Sequence, residues 1–246
     1  LKMAVEQGLI NGPRMQISVD ALTVTGGHFD LMLKSGFDAT IKYPGFPDSL
    51  CDGDEEIRKK TREIIRAGAD VIKVMATGGV VSPNARAEYN QYTAEEIEIM
   101  VEEGRRRGNI KVMAHAHGKE GIKNAVIGGV HSIEHGTYLD DECIQLMIER
   151  GTYLVPTLYV IFYNGELGFS SGQDLPDWIN EAIEIVDIHR DNIRKAYEAG
   201  VKIVMGTDCG IAPHGNNLKE LELLCEIGMT PMEAIMAGTK NAAECM

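Results

Sequence analysis

From Asp54 onward one unit of sequence recurs: an amphipathic stretch ends in glycine, a short apolar run follows, and a polar residue stands at its far end. "DEEIRKKTREIIRAG" leads into "ADVIKVMATGG", "TAEEIEIMVEEGRRRG" into "NIKVMAHAHG", and "KEGIKNAVIGG" into "VHSIEHG". "DDECIQLMIERG" then leads into "TYLVPT", and "IHRDNIRKAYEAG" into "VKIVMGTDCG". Thr93 with Glu96, and Thr230 with Pro231 and Glu233, are helix-start patterns whose side chains satisfy orphan N–H groups. Ile97, Met100 and Val101 form an apolar helical stripe, as do Ile144, Met147 and Ile148. Gly68, Gly108, Gly129, Gly151 and Gly200 fit the left-handed position that closes a helix. The runs between are short, apolar and β-branched, as strands buried on both faces must be, which implies a parallel sheet. With "QISVDALTVT" (Gln16 to Thr25) the count reaches six strands. The alternation predicts an α/β fold, either a (β/α)8 barrel or an open doubly wound sheet. No G-x-G-x-x-G turn or G-x-x-x-x-G-K-[ST] loop is present, which weakens the nucleotide-binding alternatives.

In a barrel, chemistry sits at the carboxyl ends of the strands. There this chain repeatedly places ionisable residues: Lys73, His115, His117, His135 and Asp208. Singly, each has a plain structural reading, a rim histidine or a capping aspartate. Together, two imidazoles and a carboxylate at the same end of three strands suit a divalent metal such as zinc. His117 lies two residues beyond His115 and shares its face if the strand continues, as a ligand, a substrate contact or a loop residue. Lys73 interrupts the apolar run "VIKVM", where an unpaired ammonium costs several kcal/mol. Either its head reaches solvent or a buried acid such as Glu134, or its neutral amine has taken up carbon dioxide. The resulting carbamate is an anion whose two oxygens can bridge two metals. Spacing leaves both readings open. His131 opens a strand at the opposite end and reads as structural, and His189, in mid-helix, as a surface residue. "YNGELGFSSGQDLPDW" reads as a long Gly-rich loop, a lid or a flexible connection.

The 246 residues carry a formal net charge of −13, which argues against nucleic acid or an anionic membrane surface as partner. No window approaches the ~20 apolar residues of a membrane span. The five cysteines lack C-x-x-C spacing and read as reduced thiols. The chain starts without an initiator Met, apparently inside a helix, so the expected cytoplasmic location leaves secretion open.

The words "TGGH", "IKVMATGGVVSP", "AHAHGKEGI", "SIEHGTYLD", "LVPTL" and "GTDCG", in this order, resemble the amidohydrolase superfamily of metal-dependent (β/α)8 hydrolases. More narrowly they are similar to its dipeptidase branch, the Xaa-Pro dipeptidases and carboxypeptidases that act on dipeptides or N-acyl amino acids. The resemblance implies that a carboxylated Lys73 bridges two metals, most simply zinc, and that His115 and His135 bind the second. It implies that Asp208 ligates the first metal and shuttles the proton, with a metal-bridging hydroxide as nucleophile. His28 and His117 match positions that face the substrate and help hold its carboxylate. The superfamily's first-strand H-x-H pair has no counterpart upstream of His115. Residues 1–246 are therefore expected to form one incomplete catalytic barrel domain, a TIM barrel lacking strands 1 and 2 and the accessory β-sandwich. The expected partner is a dipeptide or other small molecule, and a homo-oligomer stays open. Alternatives are a cyclic amidohydrolase resembling imidazolonepropionase, a Schiff-base lyase using Lys73, and a non-catalytic module.

Overall fold

The computed structural model describes residues 1–40, 44–80, 82, 85–171 and 177–246, with side chains from 165 to 184 outside that description. In chain order the elements are α1 (Lys2–Glu6), β1 (Ala21–Leu22), α2 (Gly53–Arg66), β2 (Val71–Met75), α3 (Ala94–Arg106) and β3 (Lys111–Ala116). There follow α4 (Lys119–Gly128), β4 (Ser132–His135), α5 (Asp141–Arg150), β5 (Tyr153–Val155), α6 (Leu158–Ser171) and α7 (Asp177–Ala199). The chain closes with β6 (Lys202–Ile203), α8 (Lys219–Glu226), α9 (Pro231–Ala237) and α10 (Lys240–Cys245). The six strands form one parallel sheet in the order β1-β2-β3-β4-β5-β6, each recurrent apolar run supplying one strand. Among the described residues no pairing joins β1 to β6, so the sheet is a partial barrel. No described helix is long and apolar enough to cross a membrane.

Local chemistry sets the boundaries. Thr93 and Thr230 each form a complete capping box with the glutamate three residues on. The closing glycines 68, 108, 129, 151 and 200 all have positive φ, between 69° and 97°. Of the two expected helical stripes, Ile97, Met100, Val101, Ile144 and Met147 are buried, whereas Ile148 points to solvent. "YNGELGFSSGQDLPDW" is not a loop throughout: α6 runs to Ser171 and α7 starts at Asp177. The lid reading of residues 172–176 lies outside the described residues. The first apolar run yields a strand only two residues long, where Val19 at φ 66° breaks the extended backbone.

Strand register separates two environments. Ile72 and Val74 of β2, and Val112, Ala114 and Ala116 of β3, face the helices and join the main core. Their alternates Lys73, Met75, Met113 and His115 face the barrel interior, where they line a cavity. Lys73 pairs in register with Ala21 and Met113. At the other end of the interior Tyr153, Val155 and Val204 form a second apolar cluster against Ala242 and Cys245. His131 is tied there by an Nε2 contact of 2.9 Å to the Cys245 carbonyl, as its structural reading requires.

Outside the sheet, Glu103 of α3 is 1% exposed and collects three arginines. Arg58 donates to it at 2.7 Å, Arg62 at 2.8 and 3.0 Å, and Arg106 at 3.3 Å. The Arg62 hydrogen bonds, with those of Arg58, outweigh burial and hold its carboxyl at about 2, below the ordinary 4.5. Glu103→Gln is expected to destabilise the fold by about 2 kcal/mol, read as a lower urea midpoint. Because the folded pKa is depressed, this contribution is complete above 4.5 and disappears as pH falls through 2. The deficit of the variant should close over that interval.

Candidate metal centre

All six residues singled out by the sequence reach one cavity. His28, Lys73, His115, His117, His135 and Asp208 line a space of about 580 Å³ at the carboxyl ends of the strands. β3 carries His115 on its interior face, and His117 follows at its end. His135 closes β4, and Asp208 follows β6. The backbone bends to aim them: His135 (φ 74°), Thr157 (φ 50°) and Asp208 (φ 50°) all sit in the left-handed region. A β-branched or charged residue accepts that strain only where its surroundings enforce it.

The imidazoles form a compact group. The His115 ring centroid lies 4.5 Å from that of His28, 4.7 Å from His117 and 4.7 Å from His135. His117 and His135 stack with centroids 4.6 Å apart and planes 4° from parallel. One ligand nitrogen from each of His115, His117 and His135 falls within 4.8 Å of the others. Burial first, then neighbouring imidazoles, lowers the pKa of all three well below the ordinary 6.5. They are neutral near pH 7, each with one bare nitrogen.

A hydrogen bond identifies the bare nitrogen of His115. His115 Nε2 lies 3.0 Å from the Gly78 carbonyl, which only accepts, so Nε2 carries the proton and Nδ1 keeps its lone pair. His117 Nδ1 and His135 Nδ1 contact the hydroxyls of Thr137 and Thr157 at 2.7 and 2.6 Å. This is how proteins orient metal-binding histidines, by tying down the ring nitrogen that does not bind. Three neutral imidazoles converging in a buried space fit a divalent cation. His117, expected beside the substrate, thus lies within the candidate ligand cluster itself.

The remaining ionisable groups are also desolvated. Burial lowers the pKa of Lys73, against the opposing pull of Glu134 and Asp208. No ion pair within 4.0 Å ends on Lys73 Nζ among the described residues, so Glu134 acts on it only from a distance. Glu134 instead accepts from the Ser132 hydroxyl at 2.6 Å. Burial raises the carboxyl of Asp208, with Lys73 working against it. Burial, then Lys73, lowers His28 to about 4.

Several contributors carry no sequence signal of their own. Gln91 clamps the His28 loop: its Oε1 accepts from the His28 N–H at 2.5 Å, and its Nε2 donates to Thr23 and to the Met75 carbonyl. His189 is not a surface residue. It is 1% exposed and contacts Thr137 Oγ1 at 3.0 Å. The usable clue was periodicity, since Ile185, His189, Ile193 and Ala196 share one buried stripe of α7.

Two glycines make room beside the site, one for backbone and one for a ring. A Cβ on Gly78 would lie 1.9 Å from the Arg86 carbonyl, and one on Gly79 would lie 2.5 Å from Cε1 of His28. Gly79→Ala is expected to push the His28 ring out of the cavity without unfolding the chain. A crystal structure of the variant checks this, and a His28 ring left in place contradicts it.

Comparisons with known proteins agree with this geometry. Ochratoxinase of Aspergillus niger is 39% identical over 254 residues, covering 97% of this chain and 51% of that protein. Its crystal structure superposes with a TM-score of 0.86 at 38% identity, covering 99% of this chain and 57% of the other. A Xaa-Pro dipeptidase with methionine bound in its active site gives a TM-score of 0.90 at 36% identity, covering 99% and 60%. A prolidase complexed with N-methylphosphonate-L-proline gives 0.86 at 34% identity, with the same coverage. The chain thus spans about half the length of the curated relative it matches. Residues 1–246 match the amidohydrolase family along their whole length, and the chain belongs to that family.

Proposed function

We propose that the intact protein is a metal-dependent hydrolase that cleaves an amide or peptide bond in a small substrate bearing a free carboxylate, a dipeptide or N-acyl amino acid. The observation that carries this reading is the convergence of three neutral imidazoles, a desolvated lysine and a desolvated aspartate in one cavity. The similarity to an ochratoxinase, a Xaa-Pro dipeptidase and a prolidase supports it. Residues 1–246 are one catalytic barrel domain, incomplete by itself. A volume of about 580 Å³ suits a dipeptide-sized ligand.

In this reading His115 and His135 would hold one divalent cation, most simply zinc, Asp208 would hold another, and Lys73, as its carbamate, would serve as a further anionic ligand. Burial favours the neutral amine of Lys73, the form that adds carbon dioxide. Its nitrogen bonds to the carbon, one proton leaves, and an anionic carbamate remains. Bound cations supply Lewis-acid polarisation of the scissile carbonyl and lower the pKa of the attacking water. Asp208 accepts that water's proton and returns it to the leaving nitrogen. His28, neutral at pH 7, offers its single N–H to the substrate, and His117 also lines the space the substrate would occupy. Met75, Val80, Val160 and Ile161 wall part of the cavity with apolar surface.

The test uses the intact enzyme with dipeptides and N-acyl amino acids, each beside an analogue lacking the carboxylate. Hydrolysis should favour the carboxylates, cease on chelation and return with zinc. Asp208→Asn should lower kcat by about 10² to 10⁴. Turnover indifferent to chelation, or a carbonyl substrate trapped on Lys73 by borohydride, would overturn the reading in favour of imine chemistry.

A further inference from the structure

Asn164 combines a buried polar side chain with the want of any protein partner. It is 7% exposed and lines the cavity of the candidate metal centre. Among the described residues no hydrogen bond ends on its carboxamide. Val160 and Ile161 stand four and three positions before it on α6, so the three share the helical face that meets the cavity. That face is otherwise apolar. A buried amide left unbonded is costly, and buried polar groups are as a rule satisfied. One aimed into a cavity is satisfied by whatever fills it.

The helix is held so as to aim this group. The buried Glu220 carboxyl accepts from the Leu158 N–H through Oε1 at 2.9 Å and from the Tyr159 N–H through Oε2 at 2.7 Å. Asn216 Nδ2 donates to the Tyr159 hydroxyl at 3.2 Å. Asn164 follows within two turns of that anchor.

The charges of the lining indicate what the amide meets. Asp20, Asp30 and Asp208 line the cavity, with Lys73 as its one basic chain and no arginine among the described residues. In the proposed hydrolase Lys73 belongs to the metal centre. A substrate carboxylate held away from the metals must therefore be met by neutral donors. It accepts at roughly four lone-pair sites, and the neutral His28 ring has one N–H to give. The hydroxyls of Ser18 and Ser82 belong to half-exposed residues. Asn164 brings two N–H donors to a desolvated position, where hydrogen bonds to an anion are strongest.

We propose that Asn164 is a specificity-determining residue: its Nδ2 amino group donates to the substrate carboxylate, so the site prefers an acid to the corresponding carboxamide. This role rests on the proposed hydrolase reading and deepens it.

The test measures kcat and KM of the intact, zinc-loaded enzyme on dipeptides and N-acetyl amino acids, each beside its C-terminal carboxamide. The wild type should favour the acid. Asn164→Leu keeps the shape and removes both donors. It should raise KM for the acid about tenfold or more, exceed any loss of kcat, and leave KM for the carboxamide nearly unaltered. Asn164→Asp, of the same shape, sets a carboxylate against that of the acid and accepts from the carboxamide N–H. Its preference should move toward the carboxamide by about 100-fold. Zinc content and urea midpoint equal to the wild type establish that a variant is folded, and either variant decides where the other fails to fold. An acid-to-carboxamide preference unaltered by the substitution overturns the proposal. So does a KM rise of equal size for acid and carboxamide, which is what lost packing gives. In both cases the wild type still cleaves the panel, and only the assignment of Asn164 falls. An intact wild type that cleaves none of the panel overturns the hydrolase reading and this role with it.

Discussion

Four imidazoles, an amine and a carboxylate crowd one cavity, and desolvation decides the charge each can hold. With His115 within 4.7 Å, centroid to centroid, of three other rings, an imidazolium there would face its neighbours without water to screen it. The rings are therefore neutral, and the lysine shifts toward its neutral amine. The aspartate shifts the other way, toward its acid. Such a constellation follows the general pattern by which perturbed ionisable groups mark functional sites. The fold serves this cavity by supplying rigid strand ends and by holding the rings of His115, His117 and His135 each through a hydrogen bond at one nitrogen.

Those hydrogen bonds link the site to layers far from it. Gly78 serves twice, its carbonyl orienting His115 and its missing side chain making room for the Arg86 backbone. Thr157 orients His135 from the end of β5, and Thr137 orients His117 from the turn after β4. Glu220 of α8, fully buried, accepts the backbone N–H groups of Leu158 and Tyr159 and so anchors the start of α6, whose Val160, Ile161 and Asn164 wall the cavity. Burial raises the Glu220 carboxyl to about 8, against those two backbone donors. The helix layer is thus part of the cavity's construction.

Much of this was legible in the chain. Apolar runs following left-handed glycines marked five of the six strands, because a doubly buried parallel strand tolerates little polarity. Lys73, His115, His135 and Asp208 stood out as polar exceptions at strand ends. What escaped was whatever depends on three-dimensional contact. Thr137 and Thr157 are ordinary residues until a ring nitrogen meets their hydroxyls. Gln91 matters through three contacts with residues distant in sequence. His189 was misread because a polar residue in a long helix reads as solvated, although the apolar stripe from Ile185 to Ala196 included it. The expected Gly-rich loop was helical as far as Ser171, since glycine weakens a helix by only ~1 kcal/mol relative to alanine and packing readily offsets that.

Lys73 is proposed to occupy its apolar strand as a carbamate anion. Incubating the metal-loaded intact enzyme with ¹³C-bicarbonate and recording its ¹³C NMR spectrum tests this directly. A carbamate carbon is expected in the wild type and absent from Lys73→Ala. A wild-type enzyme with full metal occupancy and no such signal would contradict it.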